Sequence, residues 1–333
     1  MRLEVLDPAD DTLMARRHEV RLVVQSTARA HAIVPTFEEE LAAVRTPRVG
    51  EEQALWSIIE RGEMAGVVRV MLRDDHPHTA KAQIEVLPRF RRRGYGARAL
   101  MTVIEYAAAR GRRRILGEAY YPPAEAADHE YRVFLEHNGF RLVSTDFVRA
   151  LTLPVPRVLL DGIAAQALSA YFDEYRVLTF DEVPAQVLPS LVQLMNRYRT
   201  EAPTREIDWL PETLDPQRYV EFRQADADTG RDRLTTIAVD MATDQVVACT
   251  ELLLRPGITQ VAQLATYVHP HHRGNRLGQA VCAANLRALQ EQHPTHRDVH
   301  TEVNVDTPWL AGVYESLGFR PIEMVGSYVR DLG

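Results

Sequence analysis

The chain reads as two successive domains of mixed α/β (α+β) class, and three observations predict this. The run Arg91-Arg92-Arg93-Gly94-Tyr95-Gly96 returns 182 residues later as Arg273-Gly274-Asn275-Arg276-Leu277-Gly278. Each run stands between a strand-like segment ended by proline and a segment with helical spacing of apolar residues; Val86 and Pro88 recur as Val268 and Pro270 at the same interval. Each half also closes alike. Asn138-Gly139-Phe140 leads into a strand-like stretch to Leu151, and Leu317-Gly318-Phe319 into one ending at Leu332. A duplication of about 150–160 residues per copy accounts for all three and fits ordinary domain size. The division it implies is a first domain at 1–152, a connector at 153–172 and a second domain at 173–333.

The elements follow in order. Met1-Arg2-Leu3-Glu4-Val5-Leu6 opens on a strand pattern and lacks the apolar core of a secretory signal. Residues 10–45 carry helical periodicity with polar interruptions. Residues 82–87 read as a strand stopped by Pro88. Beyond the first turn, Leu100, Met101, Ile104, Ala107 and Ala108 keep helical spacing until Gly111, a suitable C-cap. Residues 115–120 form the next strand. In the connector Leu159, Leu160, Ile163, Leu168 and Tyr171 predict a helix. Residues 182–222 repeat the periodicity of 10–45, and 226–232, Asp-rich around Gly230, read as an exposed hairpin loop. Residues 263–268 are the second copy of the pre-turn strand. Cys282, Leu286 and Leu289 then share a helix face before Pro294 stops it, and 299–304 form the last-but-one strand.

Bulk properties exclude several classes. The 333 residues are 46% hydrophobic and 26% charged, enough to bury two cores, and no apolar run approaches the ~20 residues of a membrane span. The two cysteines, Cys249 and Cys282, cannot build a disulfide framework and fit a reducing cytoplasm. A net charge of −7 argues against a nucleic-acid partner. His269, His271 and His272 lie close together, as do His76 and His78, but no distant partner ligands accompany them and no metal is expected.

A glycine-containing turn at a strand-to-helix junction points several backbone N–H groups at one spot, and the helix dipole makes that spot favourable for anions. The order strand, V-x-P, R-x-x-G-x-G, helix, strand and x-G-F resembles the GNAT superfamily of acetyl-CoA-dependent N-acetyltransferases, in a tandem organisation similar to that of mycothiol synthase. The resemblance covers nearly everything except the connector. It implies two GNAT domains, each a twisted mixed β-sheet flanked by helices and splayed between its fourth and fifth strands to admit the pantetheine arm. It implies acetyl-CoA bound by Val86, Arg91, Arg92, Arg93, Gly94, Tyr95, Gly96 and Ala97 in the first copy. In the second copy the corresponding residues are Val268, Arg273, Gly274, Asn275, Arg276, Leu277, Gly278 and Gln279. The local positive cluster of Arg89, Arg91, Arg92, Arg93 and Arg98 suits coenzyme A phosphates. Arg276 departs from the glycine expected at its position, so the first turn is the better match to the motif.

Acetyl transfer to an amine requires a polarised thioester, a neutral amine and a protonated leaving thiolate. GNAT domains commonly place the leaving-group acid four residues before the glycine of x-G-F. That position is Tyr314 in the second half and Leu135 in the first, and leucine cannot donate a proton. The second domain is therefore expected to be the catalytic one. An alkylamine of pKa ~10.4 is neutral at pH 7 in about one molecule in a few thousand, equivalent to ~4–5 kcal/mol, so a proton acceptor helps. The family's glutamate six residues before the valine is Ala80 and Ala262 here; Glu302 and Glu251 are the replacement candidates, with an unaided water chain beside them. The family's asparagine near the end of the next strand has Asn304 and Thr307 closest to it. Trp209 and Trp309 either line an acceptor pocket or anchor a core, and Asp306 either binds a cationic acceptor or caps a helix. The resemblance implies a small-molecule amine as acceptor and a monomer or homodimer. Two other readings stay open: a catalytically silent acyl-CoA sensor, and catalysis in the first domain.

Overall fold

The computed structural model describes residues 1–27, 29, 31–170, 174–201 and 213–333, with backbone only at 167–170. In chain order the first elements are β1 (Arg2–Val5), α1 (Asp11–Ser26), α2 (Phe37–Arg45), β2 (Glu51–Glu60), β3 (Glu63–Arg73), β4 (Thr79–Val86), α3 (Tyr95–Ala108), β5 (Arg114–Tyr121), α4 (Glu130–His137) and β6 (Arg141–Thr152). Then come α5 (Arg157–Ala170), β7 (Tyr175–Phe180), α6 (Leu188–Glu201), α7 (Pro216–Asp228), β8 (Asp232–Asp240), β9 (Gln245–Leu254), β10 (Gln260–Val268), α8 (Leu277–Gln292), β11 (Asp298–Asn304), α9 (Pro308–Ser316) and β12 (Arg320–Asp331). The segment expected as a hairpin loop at 226–232 is instead the last turn of α7 and a tight connection into β8. Thr229 caps that helix and Gly230 takes a φ of +70°, so the aspartates belong largely to the helix end. Trp209 and Tyr171 lie outside the described residues.

The chain forms two compact units, one of Met1–Thr145 with Glu323–Gly333, the other drawn from 146–322. Within the first unit the strand order is β1-β2-β3-β4-β5-β12, and within the second it is β7-β8-β9-β10-β11-β6. Within each unit the pairs are antiparallel except β4 with β5 and β10 with β11. The strand after Phe319 thus completes the first sheet, from Met324 opposite Tyr121 to Asp331 opposite Arg114. The strand after Phe140 completes the second, from Thr152 opposite Asp298 to Asp146 opposite Asn304.

The parallel pairs are short. β4 and β5 pair only at Thr79–Arg114, Ala80–Ile115 and Lys81–Leu116, and β10 and β11 only at Gln260–Asp298, Val261–Val299 and Ala262–His300. Beyond those residues the strands part, so each sheet forks between its fourth and fifth strands as the resemblance implied. Main-chain groups on the inner side of each fork there face a gap instead of a neighbouring strand.

Adjacent residues on a strand point to opposite faces, and the second sheet is covered on both. On β9, Thr250 reaches Cys282 of α8 at 3.7 Å while Glu251 accepts from the Tyr219 hydroxyl of α7 at 3.0 Å. The α8 face is packed by Val281, Cys282, Leu286 and Leu289, all 1% exposed or less, at the spacing of one helical stripe. The connector helix α5 belongs to this unit and buries Leu160 in the same cluster. In the first unit, α1 is fastened to β4 by Arg21 bonding Glu85 at 2.8 Å, both side chains nearly buried.

Candidate active site

The two turns adopt one backbone form with glycine and arginine exchanged. Arg92 and Gly94 have φ of +60° and +79°; their counterparts Gly274 and Arg276 have +86° and +55°. Each turn therefore carries two left-handed residues, and each spends its glycine on a different one. Arg276 adopts what Gly94 adopts, at a cost of about 1 kcal/mol. Its side chain turns away from the helix start, donating from Nη1 to Gln166 Oε1 at 2.7 Å. A Cβ built on Gly94 or Gly274 meets nothing within 4 Å, so the space in front of each turn is open. The third motif glycine serves packing: a Cβ at Gly96 would lie 3.2 Å from the Phe134 ring, and one at Gly278 3.4 Å from Val313.

Neither α3 nor α8 has a side-chain cap. By contrast Asp10, Thr36 and Asp215 cap α1, α2 and α7. The amides of Tyr95, Gly96 and Ala97, and of Leu277, Gly278 and Gln279, therefore stand at helix starts with the positive dipole end uncovered, which fits a phosphate group. Arg91 and Arg273 share a further role. Each donates from Nε to the carbonyl of the preceding valine, Val86 or Val268, at 3.1 Å, closing the loop on itself. Arg91 then reaches Glu130 at 2.6 Å and Arg273 reaches Glu201 at 3.0 Å. Among the described residues, Arg92, Arg93 and Arg98 are exposed and make no ion pair, leaving charge for an anion at the first turn. At the second, Asn275 donates to the Tyr175 hydroxyl at 2.9 Å and Gln279 to Ser316 Oγ at 2.8 Å.

The forks differ in three ways. The first is a bulge. β3 and β4 pair without interruption from Ala80 to Val86, whereas β10 slips against β9 between Gln263 and Ala265. Leu264 is the extra residue, so the copies match at one offset from the turn back to Thr266 and Ile84, and one residue out at Ala262 and Lys81. A bulge turns main-chain groups out of the ladder.

The second difference is polarity. Tyr314 is 1% exposed and donates its hydroxyl to Thr266 Oγ1 of β10 at 3.0 Å, beside Thr301 of β11. The phenol thus sits in the crotch of the fork, with burial and the nearby Cys282 holding its proton far above the ordinary range. Thr266 continues to Thr250 at 2.8 Å and to Cys282 Sγ at 3.3 Å. The matching positions of the first unit are Val68, Ile84, Leu100, Gly117 and Leu135. Leu135 fills that crotch, its Cδ2 lying 3.5 Å from where a Gly117 Cβ would be.

The third is the opposite face. In the first unit Glu85 is bonded by Arg21 and by Gln25, and Arg29 reaches Glu323 at 2.6 Å, so ion pairs occupy the α1 side of β4. In the second, Glu251 accepts from Tyr219 at 3.0 Å and Thr235 at 3.2 Å and meets Arg233 at 3.4 Å. The Tyr219 bond fastens α7 to the sheet. Glu302, on the same face by strand alternation, is exposed at the β11 side of the fork. Asn304 donates to Asp146 of β6 at 2.9 Å, and Thr307 is the residue before α9. Trp309 is 64% exposed and anchors no core, because it lies on the outward side of the first turn of α9. Among the described residues no group of histidine, cysteine and acidic side chains could hold a metal; His272 bonds Tyr175 at 2.9 Å instead.

The chain belongs to the acetyltransferase (GNAT) family, whose model matches it twice, at residues 24–134 and 191–319. It is an acyltransferase of tandem-domain form. Among solved structures it is similar to a tandem GNAT protein from the clavulanic acid biosynthesis pathway, with a TM-score of 0.79 and 22% identity over 100% of this chain and 99% of that one. A GCN5-related N-acetyltransferase from Sphaerobacter thermophilus gives 0.69 and 16% over 99% and 95%. A fungal GCN5-related glucosamine N-acetyltransferase region gives 0.66 and 13%, covering 98% of this chain and 38% of that one. No curated protein sequence matches the chain. Among the described residues no helix is long and apolar enough to cross a membrane.

Proposed function

We propose that this chain transfers an acetyl group from acetyl-CoA to an amine of a small metabolite or natural product, and that the second unit performs the transfer. The observation that carries the reading is the fork: Thr250, Thr266, Cys282, Thr301 and Tyr314 in the second unit stand where the first has only apolar residues and glycine. The uncapped starts of α3 and α8 suit the coenzyme pyrophosphate, held by the amides of 95–97 and 277–279, with Arg92, Arg93 and Arg98 adding charge at the first. Acetyl-CoA, when bound, supplies the thioester that the amine attacks and the thiolate that leaves. The bulge at Leu264 presents main-chain N–H groups to the fork, where they suit an oxyanion. Tyr314 keeps its proton on Oη between β10 and β11, and the O–H turns from Thr266 to give that proton to the departing sulfur. Glu302 is the proton acceptor for the amine, while Glu251, with three side-chain partners, positions α7. The first unit, lacking bulge and phenol, binds the coenzyme without turning it over.

The test is release of free coenzyme A thiol from acetyl-CoA with a panel of small primary amines. Tyr314→Phe is expected to lower kcat about 10- to 100-fold with the acetyl-CoA dissociation constant little changed. Full turnover by that variant overturns the assignment.

A further inference from the structure

We propose that Gln263 and Thr266 are positioning residues that join the β10 bulge to the Tyr314 phenol, so that oxyanion donors and leaving-group acid are set as one piece. The inference rests on the catalytic reading of the second fork and adds to it residues that neither touch the substrate nor belong to the motif.

Gln263 is 5% exposed, and its side-chain amide fills the hole that the bulge opens in the β9–β10 ladder. Nε2 lies 3.0 Å from the Glu251 carbonyl and 3.1 Å from the Ala265 carbonyl, the two main-chain acceptors that flank the slipped register. The same nitrogen lies 2.7 Å from Thr250 Oγ1. Thr250 lies 2.8 Å from Thr266 Oγ1, and Thr266 accepts from Tyr314 at 3.0 Å. The main-chain carbonyl of Gln263 in turn accepts from Thr301 of β11 at 3.4 Å, at the point where the strands part. One glutamine therefore grips the bulge with its side chain and the far arm of the fork with its carbonyl.

The direction of the protons follows from donor counting. Gln263 Nε2 can only donate, so Thr250 Oγ1 accepts from it and is left with one proton of its own to give. Thr250 also lies 3.0 Å from the Ala265 carbonyl, which takes that proton and leaves Thr250 as an acceptor toward Thr266. Thr266 can accept the Tyr314 proton while giving its own to Thr250. The chain of donors thus runs from Tyr314 toward the bulge, and buried polar networks of this kind hold one arrangement because each broken link strands a partner.

Two variants and two readouts test this. Thr266→Val removes the acceptor of the phenol at nearly constant volume; Gln263→Leu removes the amide that spans the bulge. In the ligand-free protein, hydrogen exchange over 260–268 is expected to rise at least about tenfold at Leu264 and Ala265 in Gln263→Leu, with 246–249 of β9 unchanged. With acetyl-CoA and the best amine of the panel, or water if none is taken, each variant is expected to lose about tenfold in kcat with little change in KM for acetyl-CoA. Placed in a Tyr314→Phe background, Thr266→Val should cost clearly less than it does alone, since the link it makes to the phenol is already gone. Unchanged exchange at the bulge, or full additivity of Thr266→Val with Tyr314→Phe, overturns the inference. If instead Tyr314→Phe alone retains full turnover, the fault lies with the catalytic reading. Should Gln263→Leu fail to fold, the Thr266→Val cycle decides the matter.

Discussion

Tyr314 combines two properties that rarely coincide in one side chain: it is among the largest fully buried residues, and its hydroxyl still has a hydrogen-bond partner, Thr266 on the β10 arm of the fork. A phenol held this way stays neutral through any ordinary working range, so loss of its proton should not produce an alkaline fall in rate below about pH 10. Its neighbour Cys282 and the more distant Cys249 are buried thiols, and burial pushes Cys282 up to about 11. Neither should react with a thiol reagent at pH 8 until the protein is unfolded by urea, which a timed alkylation followed by mass measurement will read. The same shift has a thermodynamic sign. Unfolded, Cys282 ionises near its ordinary value of 9, whereas folded it keeps its proton to about 11. Between those values the unfolded state binds fewer protons, so stability falls as pH rises, by at most about 1.4 kcal/mol per unit for this group. Urea melts at pH 8 and pH 10 should show the decline. Tyr314 was legible from the sequence because its distance from Gly318-Phe319 is local. Its surroundings were not, because Thr266 and Thr301, and Thr250 behind Thr266, come together only through strand register.

The cradle and the bulge are the two elements that decide what each half can do. The cradle was readable because its chemistry is written in consecutive residues. What the motif did not reveal is that Arg91 and Arg273 are tied to the valine carbonyls, a loop-closing role set by the folded turn. The Arg276 departure also proves milder than a side chain crowding a phosphate, since the guanidinium leaves by way of Gln166. Arg276→Gly should raise stability by about 0.5–1 kcal/mol by relieving a left-handed residue, set against one exposed hydrogen bond; a thermal melt will show it. Filling the open space in front of a turn gives a sharper result. Gly274→Trp is expected to abolish turnover, whereas Gly94→Trp should leave turnover and remove one coenzyme per chain from a calorimetric titration. The bulge was invisible in sequence for a simple reason: a single extra residue, Leu264, shifts the repeat by one on only one side of itself.

At the scale of the molecule, seven strands were legible in the sequence, whereas β2, β3, β7, β8 and β9 and the ownership of the closing strands were not. Alternating patterns marked strands ending at Leu151 and Leu332, but which sheet each completes depends on long-range pairing that no window of sequence contains. β5 depends on the eight residue pairs from Met324 to Asp331, and β11 on the seven from Asp146 to Thr152. Expression of residues 1–152 alone should therefore leave β5 with a bare edge and yield an aggregating product, readable by size-exclusion chromatography, although that piece contains the whole first cradle. Residues 173–333 alone should fare no better, since β11 would lose β6.

The exchanged strands also constrain how such a gene can change. A nonsense codon among its final dozen would injure the product of its opening codons before that of its nearest ones. Neither half can be deleted, traded or inherited separately from the other once the duplication has been interlaced in this way.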